Sequence, residues 1–292
     1  MPDKKTLIVF DSNSIIHRAY HALPPLTTKK GEIVGAVYGF LLVFLKAIKE
    51  FQPDFVIACF DVKGPTFRHE KYKEYKAKRV KAPDDLYKQI SRVKEVLSGF
   101  NVKVYEKPGF EADDIIGTIA KEAPKKQVLP ELETIIVSGD SDNFQLVNDK
   151  TKVFALRKGV KDTVLYDESA VKEKYQGLIP KQLVDYRGLR GDPTDNIPGV
   201  PGVGEKTAID LIQRFGTIDN LYQNLDELRP KLKDLLIQHK EQAFFSRELA
   251  TIYQSVPIEF DLWDSQWENY NKEKATQTLE ELDFFSLIPR LP

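Results

Sequence analysis

The sequence predicts an α/β fold in which a mostly parallel central sheet is flanked by helices and followed by a helical C-terminal part. Short apolar runs recur through the first half, helical patterns separate them, and from about Leu178 helices and Gly/Pro-rich turns take over.

Leu7–Phe10, Phe55–Phe60, Val102–Tyr105, Thr134–Val137 and Val153–Leu156 read as buried strands, because they are short and rich in β-branched and aromatic residues. Val34–Lys49 and Leu86–Leu97 repeat apolar residues at spacings of three and four, as helices packed on a sheet do. This alternation implies right-handed βαβ units. A boundary is expected near residue 172, dividing an α/β domain (1–172) from a helical subdomain (173–292). The stretch around Leu129-Pro-Glu reads as a surface loop, and no internal repeat is visible.

The 292 residues are 41% hydrophobic and 30% charged, enough to build a core. No apolar run approaches the ~18–20 residues of a membrane helix, and Leu7–Phe10 is too short for a signal peptide. A cytoplasmic enzyme is the expectation. Cys59 is the only cysteine, which excludes an internal disulfide and a Cys-rich zinc site. Its apolar run marks it as a packing residue whose thiol pKa is raised. The net charge of −1 hides an asymmetry: residues 63–81 hold eight Lys or Arg against two Glu, whereas residues 259–292 hold eight acids against three bases. One strongly positive surface is therefore compatible with a neutral total.

In an open α/β sheet, ligands bind beyond the carboxyl ends of the strands. Asp11 follows the first run, Asp61 the second, and Asp140 and Asp142 the fourth. Glu111-Ala-Asp-Asp114 opens a helix, and Asp192 and Asp195 lie in Arg190-Gly-Asp-Pro-Thr-Asp-Asn196. Singly, such residues are turn formers, helix caps or macrodipole partners. Nine carboxylates at one sheet edge are another matter, being costly unless cations neutralise them. With no Cys cluster and four scattered His, Mg²⁺ or Mn²⁺ is the natural choice, and two such ions suit phosphodiester cleavage.

Ile197-Pro-Gly-Val-Pro-Gly-Val-Gly-Glu-Lys-Thr-Ala208 leads into a helical pattern ending at Gly216. Gly199, Gly202 and Gly204 would let backbone N–H groups approach phosphates, with Lys206 adding charge and Thr207 a hydroxyl. The full string reads as a helix-hairpin-helix over about 185–216, a sequence-independent grip on DNA backbone. It lacks the spacing of a Walker A loop. In Phe67–Arg79, residues Arg68, Tyr72, Lys76 and Arg79 recur at spacings of four and three, so a helix there would present one cationic face with an aromatic ring. Arg18, two turns after Asp11, is placed to meet a phosphate or to make a surface ion pair.

These strings resemble a family. Asp11…His17-Arg-Ala-Tyr-His-Ala-Leu23, Phe60-Asp61, Phe67-Arg-His-Glu70, Tyr75-Lys-Ala-Lys-Arg79, Gly109–Gly117, Ser138–Leu146 and Gly191-Asp-Pro-Thr-Asp-Asn-Ile-Pro-Gly-Val are similar to the flap endonuclease / 5′–3′ exonuclease superfamily. Among its members the resemblance is to the 5′-nuclease domain of bacterial DNA polymerase I or a free-standing relative, over about Leu7 to Ile288. It implies the PIN-like 5′-nuclease fold, with a helical arch at about 63–82 and a C-terminal helix-hairpin-helix. It implies that Asp11, Asp61, Glu111, Asp113 and Asp114 serve one metal region, and Asp140, Asp142, Asp192 and Asp195 another. Lys76, Arg79 and Arg18 would face the scissile phosphate, and Tyr75 would stack on a displaced base. The implied substrate is DNA with a 5′ flap, nick or branch, or an RNA–DNA 5′ end, cut by a monomer without a membrane. The balance of exonuclease and flap activity, and a K⁺ in the hairpin turn, are left open. One departure is Ser12, where relatives have Gly; Ser at this position is expected to cap the helix and alter local geometry. Two rival readings fit the residues less well. A haloacid-dehalogenase-type phosphatase needs a second Asp where this chain has Asn13, and a non-catalytic binder of branched DNA would be expected to have lost carboxylates.

Overall fold

The computed structural model describes residues 5–126 and 131–292, so the loop expected around Leu129 and Pro130 lies outside the described residues. Six strands, β1 (Thr6–Asp11), β2 (Phe55–Cys59), β3 (Lys103–Tyr105), β4 (Glu133–Ser138), β5 (Thr151–Lys158) and β6 (Asp162–Tyr166), form one sheet in the order β3-β2-β1-β4-β5-β6. The first five are parallel and match the five expected runs within two residues at each end. The sixth was not expected. It pairs antiparallel with β5 as an edge hairpin turning near Gly159, whose φ is +63°. Its half-exposed residues give a weaker apolar signal than the buried strands.

The buried strands alternate strictly between two cores. Leu7 and Val9 of β1 and Phe55 and Ile57 of β2 face one side; Ile8, Phe10, Val56 and Ala58 face the other. On the first side lies α5 (Ala112–Lys126). On the second lie α1 (Ser12–Ala22), α2 (Gly35–Phe51) and α4 (Asp84–Gly99), with Phe10, Phe40 and Phe44 in mutual contact. The helices expected over Val34–Lys49 and Leu86–Leu97 are α2 and α4. Cys59 is fully buried, and burial pushes its thiol well above the ordinary range, as its setting predicted.

After Tyr166 the described residues contain no further strand. They form α6 (Glu168–Lys174), α7 (Leu183–Arg190), α8 (Glu205–Phe215), α9 (Ile218–Gln223), α10 (Pro230–Gln238) and α11 (Lys240–Ala250). Their apolar faces join the α5-side core, so Leu211 and Leu236 belong to the same cluster as Leu7. The last helix, α12 (Lys272–Glu281), returns to the opposite side, where Leu279, Leu282 and Leu287 pack with α2 and α4. Burying side chains of this size contributes ~1.5–3 kcal/mol each. Among the described residues, no helix is long and apolar enough to cross a membrane.

The segment 63–82 crosses the site, but its expected long helix is absent. The helix α3 covers only Phe67–Lys71, and residues 73–79 form successive turns. Tyr72 leaves the helix with φ −143°, and Lys76 adopts a left-handed φ of +56°. The backbone is strapped instead to the loop opposite: Lys76 N donates to Asp195 O at 2.9 Å, and Asn196 Nδ2 to Glu74 O at 2.8 Å. These tertiary bonds override the helical period, and the single cationic face drawn from residues 68, 72, 76 and 79 does not form.

Candidate active site

Strand order reverses at β1, which has β2 on one side and β4 on the other, and this opens a crevice at their carboxyl ends. Asp11 ends β1 there and is almost completely buried. One of its oxygens caps α1 by accepting from Ser14 N at 3.3 Å, and the other accepts from Ser138 Oγ at 2.6 Å. Asp113, in the first turn of α5, accepts from Asn143 Nδ2 at 2.9 Å. Asp140 accepts from the Asp142 backbone at 3.0 Å, and Asp61 from the Ala112 backbone at 2.8 Å.

Burial raises the Asp11 pKa to about 6; hydrogen bonds from Ser138 and Ser14 oppose the rise, while Asp140 and Asp61 add to it. Asp113 is pushed well above the ordinary carboxylate range by burial and then by Asp11, Asp140 and Asp142. Asp142 is raised likewise by burial, against the pull of Arg187. These carboxylates therefore share one field with too little positive charge to balance it.

Arg187 on α7 was not singled out from the sequence. It is buried and ion-paired to Asp142, and it reaches Asp192 at 3.1 Å and Ser141 Oγ at 3.3 Å. Its signal was a cation five residues before Asp192, just ahead of the Arg190–Asn196 motif that was read for its acids. Asn143 and Ser138 were also missed as individual ligands of Asp113 and Asp11. Two adjoining cavities, of about 450 and 420 Å³, share Ser141; the first is lined by Arg18 and Asp140, the second by Arg187 and Asp192.

Glu111 and Asp114 stand on the other side, and they are not equivalent. Asp114 has no exposed surface and accepts four hydrogen bonds, two from Arg68 at 2.8 Å and one each from Glu111 N (3.1 Å) and Tyr253 N (2.8 Å). All its ligating positions are thus used within the protein, which corrects its place among the expected metal ligands. Arg68 is correspondingly buried and also donates to Leu249 O and Thr251 O at 3.0 and 2.8 Å. It is a packing anchor here and offers no surface to DNA.

Glu111 and Asp195 receive the arch. Tyr75 is buried and donates to Glu111 at 2.9 Å and Asp195 at 3.2 Å; it presents no ring for stacking on a base. Lys76 pairs with Glu111 and lies 3.7 Å from Asp195, to which Arg79 is also paired. Burial works to discharge Lys76, but Glu111 and Asp195 outweigh it and hold its pKa up to about 12. Burial likewise works to raise the Asp195 pKa, yet Lys76 and Arg79 bring it below the ordinary value. Tyr72 packs against Phe245 on α11. Arg18 is held at the foot of the site, donating to Gly139 O at 2.7 Å and Arg157 O at 3.0 Å.

Ser12 differs from its expected role. The cap of α1 is Asp11, and the fully buried Ser12 hydroxyl has no protein partner among the described residues.

In the hairpin, the three glycines do different things. Gly199, at φ +62°, crosses the Arg190–Gly191 backbone so closely that a Cβ would lie 2.3 Å from Gly191 N. Its own N–H is taken by Ser246 Oγ at 3.0 Å, so it serves packing and is unavailable to a phosphate. Gly202 is exposed at φ +86°, and Gly204 starts α8 with open space around its Cα. Lys206 is exposed and Thr207 half-exposed on the first turn of that helix.

Among the described residues, no three His, Cys, Asp or Glu side chains are already gathered at ligating spacing. The donor set of Asp11, Asp61, Asp113, Asp140, Asp142 and Asp192 is nonetheless all oxygen, and its unbalanced charge fits hard divalent cations.

Comparison with known proteins agrees with this architecture. The profile described as "5'-3' exonuclease, N-terminal resolvase-like domain" matches residues 6–176, and "5'-3' exonuclease, C-terminal SAM fold" matches residues 178–273. DNA polymerase I of Bacillus subtilis (strain 168) is 43% identical over 292 residues, covering 100% of this chain and 33% of that protein. The thermostable DNA polymerase I of Thermus thermophilus is 40% identical over 285 residues, covering 98% and 33%. The chain thus spans about a third of the length of these relatives. Among solved structures, the T5 D15 protein co-crystallised with metal ions superposes with a TM-score of 0.69 at 20% identity, covering 94% of this chain and 99% of that one. The catalytic core of Rad2 in complex with DNA substrate gives 0.57 at 18% identity, covering 99% and 93%. The likeness to these two structures is one of fold. With both profiles matching in order along the chain, the protein belongs to the 5′-3′ exonuclease family.

Proposed function

We propose that the chain is a structure-specific 5′ nuclease hydrolysing phosphodiester bonds at 5′ ends and 5′ flaps of duplex DNA. The observation that carries this reading is the group Asp11, Asp113, Asp140 and Asp142 at the strand-order reversal, whose pooled negative charge is left unbalanced. Divalent ions such as Mg²⁺ or Mn²⁺, when bound, supply that balance, activate water and stabilise the leaving oxygen. Asp11, Asp61, Asp113, Asp140, Asp142 and Asp192 are the residues that would hold them. Glu111 and Asp195 join this set when Lys76 and Arg79 let go of them. Those two cations then turn to the substrate phosphate, with Arg18 at the base of the site. Arg187 keeps Asp142 and Asp192 oriented.

Duplex DNA lies against the hairpin, where Gly202, Gly204, the free N–H groups opening α8, Lys206 and Thr207 accept a phosphate. The division near residue 172 marks where the sheet layer gives way to a helical part that carries this grip and also supplies Arg187, Asp192 and Asp195 to the site, and the enzyme acts as a monomer in the cytoplasm. Replication and repair, including removal of RNA-containing 5′ ends, are the processes such chemistry serves; the T5 and Rad2 neighbours, solved with metal ions and with DNA, support the reading.

Incubating the protein with a labelled 5′-flap duplex, a nicked duplex and a single strand, with Mg²⁺ and with chelator, tests it. Mg²⁺-dependent products at the flap junction are expected. Absence of Mg²⁺-dependent product on every DNA geometry would overturn the assignment in favour of a DNA binder.

A further inference from the structure

Two loops that meet over the carboxylate site each contain a left-handed residue that is not glycine. In the arch, Ala77 N donates to Glu74 O at 3.0 Å and closes a four-residue turn whose third residue, Lys76, has φ +56°. In the loop opposite, Asn196 N donates to Pro193 O at 3.4 Å, and Asn196 has φ +57°. Asn tolerates this conformation and is a common choice for it. Lys does not, and a turn that needs φ > 0 at its third position ordinarily takes Gly or Asn there. A lysine held in this way persists only where its surroundings impose the geometry.

Two bonds impose it. Lys76 N donates to Asp195 O at 2.9 Å, and Asn196 Nδ2 donates to Glu74 O at 2.8 Å. Glu74 O therefore accepts twice, once from its own turn and once from a side chain 122 positions away. Both bonds grip the main chain of the arch, so the Lys76 ammonium can leave Glu111 for a phosphate while the arch stays over the site. Relaxation of Lys76 to negative φ would re-aim its ammonium and the run from Ala77 to Arg79. A tolerance for left-handed backbone accounts for Asn at 196, where Gly would serve as well; it does not account for an amide aimed at the arch.

We propose that Asn196 is a positioning residue, whose amide clasps the arch turn so that Lys76 meets the scissile phosphate in one orientation. This rests on the nuclease reading above.

Two variants test it. Asn196→Gly keeps the left-handed backbone and removes the amide, whereas Asn196→Asp keeps the size and removes the donor. Single-turnover cleavage of a 5′-flap duplex at saturating enzyme in Mg²⁺ should slow about tenfold in both, with flap affinity within about threefold of wild type. In a Lys76→Ala background either change should cost no more than about twofold, since the group being placed is gone. Trypsin acting on the DNA-free chain should cut after Lys73 and Lys78 at least about twofold faster in both variants, with the urea midpoint unchanged. The proposal is overturned if both variants cleave at the wild-type rate, if the loss is as large in the Lys76→Ala background, or if it is wholly a loss of flap affinity. Absence of cleavage by the wild-type chain is a distinct result: it overturns the nuclease reading, and the positioning role with it, whatever the trypsin rates.

Discussion

Arg68 grips Asp114 with both terminal guanidinium nitrogens, each 2.8 Å from a different carboxylate oxygen, although the two residues stand 46 positions apart. The pair fixes the foot of the arch to α5 and, through Leu249 O and Thr251 O, to the end of α11.

Removing Arg68 leaves the Asp114 charge buried and uncompensated. Arg68→Leu should therefore lose ~3–5 kcal/mol of stability. Arg68→Lys keeps the charge but not the two-pronged geometry, and should fall between this variant and wild type. Urea denaturation measures both, and a loss below about 1 kcal/mol in the leucine variant would contradict the anchoring role.

Asp11 gives a pH dependence of definite sign. Its pKa in the folded chain, about 6, exceeds the ordinary 3.8, so folding favours its protonated form. The contribution is fully present below 3.8 and is lost as pH rises through about 6, up to ~3 kcal/mol for this group. In chelator, the urea midpoint should fall between pH 4 and 7. Mg²⁺ should flatten that fall; a midpoint that rises over the same range in chelator would count against the reading.

The Ser12 hydroxyl is buried without a protein partner. Ser12→Ala should raise stability by ~1 kcal/mol, since it removes only the cost of desolvating that group. A destabilised variant would show that the hydroxyl is satisfied after all, as by a bound water.

Lys206 on the open turn of α8 should contribute one phosphate contact. Lys206→Ala is expected to weaken flap binding uniformly across sequences and to lower the slope of log affinity against log salt by about 1. An unchanged slope would remove Lys206 from the DNA interface.

The layout of the sheet was legible because strands buried on both faces leave continuous apolar runs, and the acids after Phe10 and Val137 mark where those runs end. The edge strand β6 was not, because a half-exposed antiparallel hairpin leaves no such run. The arch was misread for a different reason. Residues 68, 72, 76 and 79 do keep a helical period, but the period says nothing of Glu111, Asp114 and Asp195, distant acids that draw these cations inward. Gly199 looked like a phosphate contact because it stands in a glycine-rich string leading into a helix; only the crossing of Gly191 and the Ser246 bond reveal a packing role. Arg187 was hidden because its partners come from two separate loops.

The central claim is that carboxylates at the ends of β1 and β4 carry phosphodiester hydrolysis. Single-turnover cleavage of a 5′-flap duplex by Asp140→Ala, measured beside wild type in Mg²⁺ and with binding of the uncut flap followed in parallel, tests it most directly. The rate should fall by at least about a thousandfold, corresponding to several kcal/mol of lost transition-state stabilisation, while binding changes only a few-fold. Wild-type turnover in that variant would contradict the claim.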